Sequence, residues 1–174
     1  MPLPRSTVLP VAYVVLRILI VLNWLYGAAI LGLVIFANTN RAWFMKAIDV
    51  PQGLDPNPIM MGLTAIATLG LLAVPLNHLI LTRLLRMVET VSRGDPFVAA
   101  NAYRLNAIAW ALLGLQLLSM VIGGIGKAIA SKDFPIHLDT GFSVNGWLAV
   151  ILTFVLARVF AEGTLMREDL EGTV

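Results

Sequence analysis

His78 stands beside Asn77, three residues past Pro75, inside a long apolar run. An ionisable ring in such a place can take up a proton or a ligand, because charge-bearing groups seldom persist in hydrocarbon without a role. The plainer reading has the ring hydrogen-bonded to a helix carbonyl that Pro75, lacking an N–H, leaves free. Arg17, Asn23, Asn77 and Asn145 also interrupt or border apolar runs. Lined up along an internal path they would serve a small transporter or channel, whose pore can be lined by such groups or by backbone carbonyls. His137 and Asp139, joined by Asp49 or Asp55 from another loop, are the candidate metal ligands. Two residues of one loop do not define a site that needs at least three ligands, so no metal and no cofactor is expected. Haem ligation would need two facing intramembrane histidines, and His78 has no counterpart in another run.

A second constellation is ionic. Arg86, Glu89, Arg93, Arg158 and Glu162 have the types and spacings of a switchable ion-pair cluster, although a solvated charged helix face has the same composition. The arginines also suit anionic lipid at the membrane surface. Catalytic signatures are absent: there is no phosphate-cradling glycine loop, no paired-histidine metal motif and no nucleophile elbow. With 0 cysteines there is no thiolate nucleophile or disulfide framework. No carboxylate falls inside an apolar run, which removes the usual acid of a proton relay or cation transporter. The expectation is a protein that is not an enzyme.

The elements that would position these groups follow from composition. Of 174 residues, 59% are hydrophobic and 13% charged, far from the balance of a soluble domain, and the length allows about four spans in one domain. The apolar runs are 11–36, 59–81, 107–125 and 142–160. The first is too long for a signal-peptide core and reads as a retained span. Within it, Arg17 either snorkels to the interface or faces the bundle interior, and Ala28 and Gly32, four apart, suit close helix approach. Met1 to Pro10 reads as irregular. Residues 38–58, rich in proline, read as a surface loop with Trp43 and Phe44 as interface anchors. Pro75 should kink the second span. Beyond Leu81, His78, Thr82, Arg86, Glu89 and Arg93 make a polar stripe at three- and four-residue spacing, so that helix extends into water.

The sequence Gly94-Asp95-Pro96-Phe97 ends this extension. Gly94 suits a left-handed helix terminus, and Asp95 before Pro96 reads as an N-cap with proline at the first position of the next helix. That helix would expose Asn101 and Arg104 on its first turns. Residues 82–106 thus form a polar hairpin, and residues 161–174 a charged tail. Basic residues fix the orientation: Arg5, Arg17, Arg83, Arg86, Arg93, Arg104, Arg158 and Arg167 flank one side, against Arg41, Lys46, Lys127 and Lys132 on the other. Eight against four places both termini and the hairpin in the cytoplasm. The fold expected is all-α: a four-helix transmembrane bundle, N-in and C-in, with its second and third helices extended into a cytoplasmic hairpin.

Gly94-Asp95-Pro96-Phe97-Val98 followed by Asn101, Arg104, Leu105 and Ile108, with the closing Val159-Phe160-Ala161-Glu162-Gly163 and Leu165-Arg167-Glu168-Asp169-Leu170, resembles the bacterial membrane family catalogued as domain of unknown function 2975. The likeness spans the whole chain in layout, with its specific residues in those two patches. It implies a small four-span protein of the inner membrane without an established activity. Some relatives look to be encoded beside a small helix-turn-helix regulator, which implies a cytoplasmic regulatory protein as partner.

The function expected is a non-enzymatic docking or signalling module in the cell inner membrane. Its docking residues would be Arg86, Glu89, Arg93, Gly94, Asp95, Pro96, Phe97, Asn101, Arg104, Arg158 and Glu162. Arg17, Asn23, Asn77, His78 and Asn145 would be polar groups within the membrane. Partners expected are the lipid bilayer, the regulatory protein and a second copy of the chain. A net charge of +2 gives no reason to expect direct binding of nucleic acid.

Overall fold

The computed structural model describes residues 8–49, 55–130 and 141–171. In lipid a backbone must satisfy its own N–H and C=O groups, and apolar runs of this length do so as helices. Among the described residues there are five: α1 (Val8–Thr39), α2 (Arg41–Ala47), α3 (Pro56–Ser92), α4 (Ala99–Ile129) and α5 (Val144–Glu171). The four long ones are each long and apolar enough to cross a membrane. With 32, 37, 31 and 28 residues they outrun a hydrocarbon layer, which about 20 residues span. Their ends therefore stand in the interface or in water.

The long helices pack in chain order, α1 on α3, α3 on α4 and α4 on α5, without comparable packing of α1 on α5. From Leu16 onward, the half-buried or buried positions on α1 are Leu16, Ile20, Asn23, Gly27, Ile30, Val34 and Ala37. Their alternating spacing of four and three is the seam of a left-handed helix pair. Ala28 and Gly32 lie off this seam and are exposed, contrary to the close approach expected of them. Gly27 fills that role: a Cβ there would meet both Val74 methyls at 3.1 Å. On the α3–α4 seam Leu76 lies against Gly114, and on α4–α5 Trp110 meets Phe154 edge-on at 5.4 Å.

Two boundaries differ from expectation, and the charged tail proves helical. Residues 38–58 are not all loop, because α2 and the first turn of α3 lie within them. The cap-and-proline signature expected at Asp95-Pro96 operates instead at Asp55-Pro56. There Asp55 Oδ1 accepts from the Asn57 N–H at 2.9 Å with proline at the first helical position, and Arg41 reaches Asn57 Oδ1. The charged tail is also helical, since α5 runs on to Glu171. Its beginning is capped by Ser143, whose Oγ accepts from the Gly146 N–H at 3.1 Å.

Candidate functional site

The turn between α3 and α4, an elbow at residues 93–98, begins as the sequence requires. Gly94 has φ +91°, a left-handed backbone that costs glycine little. The Gly94 N–H donates to Val91 O at 3.0 Å and the Asp95 N–H to Thr90 O at 3.2 Å, the paired bonds of a Schellman terminus. Asp95 does not cap α4. That helix starts at Ala99 after an extended Val98, φ −122° and ψ 144°, which has no side-chain cap bond. The reason lies across the interface, where Phe97 packs on Phe160 at 5.3 Å and sits over Gly163. A Cβ on Gly163 would approach the Phe97 ring to 3.0 Å, so the glycine makes the seat. Reaching it keeps the chain from Asp95 to Val98 out of the helix. Asp95 then turns to α5, and its Oδ1 accepts from Arg167 Nη1 at 2.9 Å.

Asn101 is the centre of the elbow. It was expected on the surface, yet it is fully buried at 0% exposure, because the non-helical stretch before α4 folds back over it. Its Nδ2 donates to Pro96 O at 2.8 Å, while its Oδ1 accepts from Arg104 Nη1 at 2.7 Å and from the Thr90 hydroxyl at 3.0 Å. Both ends of the amide are satisfied, as burial demands. Arg104, half-buried rather than exposed, also donates through Nη1 to Arg86 O at 3.2 Å. Arg104 is partly desolvated and feels the like charges of Arg86 and Arg83, with Glu89 as the opposing attraction.

Of the two readings of the five charged residues, an ion-pair cluster or a solvated helix face, the first is not met: no five-residue cluster assembles among the described residues. Arg158 pairs with Glu162 one turn along the same helix, whereas Arg86, Glu89 and Arg93 make no ion pair among the described residues. The bond that joins elbow and α5 is Asp95–Arg167, between residues 72 apart. Nothing in the local sequence signals it. Around it lies a cleft of about 250 Å³ lined by Asp95, Phe97, Val98, Thr164, Arg167 and Glu168. Leu165, Met166 and Leu170 are exposed on the same last turns of α5.

The polar residues within the apolar runs have separate fates. Arg17 is exposed, its guanidinium 4.9 Å above the Tyr13 ring, so it does not face the interior. Asn23 Nδ2 donates to Val74 O at 3.0 Å, beside Pro75. His78 meets an indole instead of a freed carbonyl: Trp24 Nε1 donates to its Nδ1 at 3.1 Å. The α1–α3 seam brings Trp24 opposite the ring, so the indole N–H finds its acceptor in His78 Nδ1. Asn77 shares a lateral groove with Asn23, Leu19 and Tyr26. Asn145 is exposed on α5, two helices away from α1's partner face. Of the four groups proposed for an internal path, the fold brings together only Asn23 and Asn77. Among the described residues no three of His, Asp or Glu gather as metal ligands, and His137 and Asp139 lie outside those residues.

A family model described as "Protein of unknown function (DUF2975)" matches residues 45–174, which takes in the end of α2, all of α3 and α4, the elbow and α5, and leaves out α1. No curated protein and no solved structure matches the chain.

Proposed function

Since the chain belongs to the DUF2975 family, whose function is unknown, we propose a reading from its own elbow: a non-enzymatic membrane module that docks a cytoplasmic protein. The observation that carries it is the joining of Phe97 and Asp95 to Phe160, Gly163 and Arg167. This makes the elbow and the end of α5 one surface, beyond the apolar runs. Phe97, Leu165, Met166 and Leu170 offer it exposed apolar area, and Glu168 and Asp169 add acidic charge. Apolar anchors rimmed by charges of both signs, Glu168 and Asp169 beside Arg93 and Arg167, suit a partner that meets them with a complementary rim, and the partner we propose is a small DNA-binding regulator. The excess of arginine beside this end supports its facing the cytoplasm. A signal would reach the surface along α3, where Asn23 and Trp24 of α1 hold the segment around Pro75.

The test is photocrosslinking in cells from probes placed at Phe97 and at Leu165. Both positions should trap the same polypeptide, and the double variant Asp95→Ala/Arg167→Ala should reduce both adducts severalfold. Different adducts from the two positions, or none, would refute a composite docking surface.

A further inference from the structure

Arginines from all four long helices stand at one level of the fold. The Trp24–His78 bond fixes α1 against α3, and from it Arg17 lies seven residues back while Arg83 and Arg86 lie five and eight residues on. In antiparallel helices rising 1.5 Å per residue, all three are displaced by roughly 8–12 Å in the same direction. Arg104 is tied to this level by its bond to Arg86 O. Arg158 shares a groove of about 350 Å³ with Ala102, Tyr103 and Asn106, the residues that bracket Arg104. Tyr103 is exposed in that groove, and Tyr13 lies under Arg17. Aromatic and arginine side chains at one level, where apolar runs end, mark the depth of lipid headgroups.

Within this belt the charges are unevenly matched. Arg158 has Glu162 and Arg17 has the Tyr13 ring. Arg83, Arg86 and Arg104 make no ion pair among the described residues, although Glu89 is near enough to attract Arg104. Arg83 and Arg86, three apart, share a face of α3, and Arg104 reaches from α4 to the backbone of that same turn. Three guanidiniums converge where one carboxylate only partly offsets them, and guanidinium donors match phosphate oxygens in geometry as well as charge.

We propose that Arg83, Arg86 and Arg104 form a binding site for the phosphate of an anionic phospholipid headgroup, on the face that α3 and α4 share. The lipid is favoured over a free anion because the site stands at the headgroup level with the exposed Tyr103 ring beside it. Although Arg86 and Arg104 were among the docking residues expected from the sequence, the docking surface proposed above is built by Asp95, Phe97 and the end of α5, and its contacts use neither Arg83 nor the side chain of Arg86.

The experiment uses the full chain in nanodiscs of phosphatidylcholine with a fraction of phosphatidylglycerol, and native mass spectrometry to count the lipids retained. The variant Arg83→Gln/Arg86→Gln spares the fold, since the described bond at Arg86 uses its backbone carbonyl. The wild type should retain phosphatidylglycerol in preference to phosphatidylcholine. The double variant should lose about thirtyfold of that preference, as removal of two charges near an anionic surface requires. Arg83→Lys/Arg86→Lys should keep most of it, and Lys46→Gln on α2 should keep all. Equal retention by wild type and the glutamine variant would overturn the site. So would inorganic phosphate binding to the wild type in pure phosphatidylcholine discs without any phosphatidylglycerol preference, which would assign the arginines to a soluble anion.

Discussion

Replacing Asn101 with alanine isolates the bonds that shape the elbow. The change removes the donor to Pro96 O at 2.8 Å, a neutral bond worth about 1 kcal/mol, and the acceptor of Arg104 at 2.7 Å, a charge-assisted bond at the low end of about 1.5–3 kcal/mol. The low end applies because Arg104 is only half-buried and retains Arg86 O. Thr90 loses little, since Met87 O lies 2.8 Å from its hydroxyl as an alternative acceptor. Alanine favours helix over asparagine by up to about 0.7 kcal/mol, which offsets part of the loss. The net destabilisation is about 2 kcal/mol, or roughly thirtyfold in the unfolding equilibrium. Unfolding in mixed micelles titrated with dodecyl sulfate and followed by tryptophan fluorescence would measure it. Asn106→Ala, an exposed position on the same helix, serves as the reference and should change stability by less than about 0.5 kcal/mol. If the two variants behaved alike, Asn101 would not be the centre of the elbow, and the reason given for the delayed start of α4 would fail with it.

Gly163→Val should unseat Phe97, because the added carbons occupy the space of its ring; the chain has no native cysteine, so cysteines placed at Asp95 and Arg167 can report this as a severalfold drop in short-range crosslinking. Trp24→Phe and His78→Phe should each destabilise the α1–α3 pair, and a double-mutant cycle should give a coupling of about 0.5–1.5 kcal/mol for their hydrogen bond; a coupling near zero would refute the pairing. Cysteines at Ser92 and Met166, both exposed, should react with a membrane-impermeant maleimide only after the cytoplasmic side is opened, and labelling of either from outside would reverse the orientation.

The sequence is most informative where one segment decides its own state. Apolar length announced the four spans, the polar stripe from Thr82 to Arg93 announced the extension of α3, and Gly94 announced the turn, since each depends on neighbours within a few residues. Asp-Pro occurs twice, at Asp55 and at Asp95, with the same local preference for capping. Only the first caps, because Phe97 must reach a seat on α5 that lies 66 residues further on at Gly163. Asn101 has the residue type of a surface position, but it falls four and seven residues before the buried Leu105 and Ile108 on α4; the spacing marks that face, and only the fold-back at Pro96 shows what partners its amide finds there. Trp24–His78 and Asp95–Arg167 belong to the same class, partners chosen by how the helices register and invisible until they do.

The row-like packing has a consequence for biogenesis. Each long helix rests chiefly on the one made before it, so a chain emerging from the ribosome can settle its helices one at a time, with short-range contacts and little waiting. The bridge from Asp95 to Arg167 is an exception, because it joins the turn before α4 to α5, with the whole of α4 made in between. Its closure therefore waits until α5 has been made, and a product that stops before α5 would keep its earlier helices yet present an incomplete elbow.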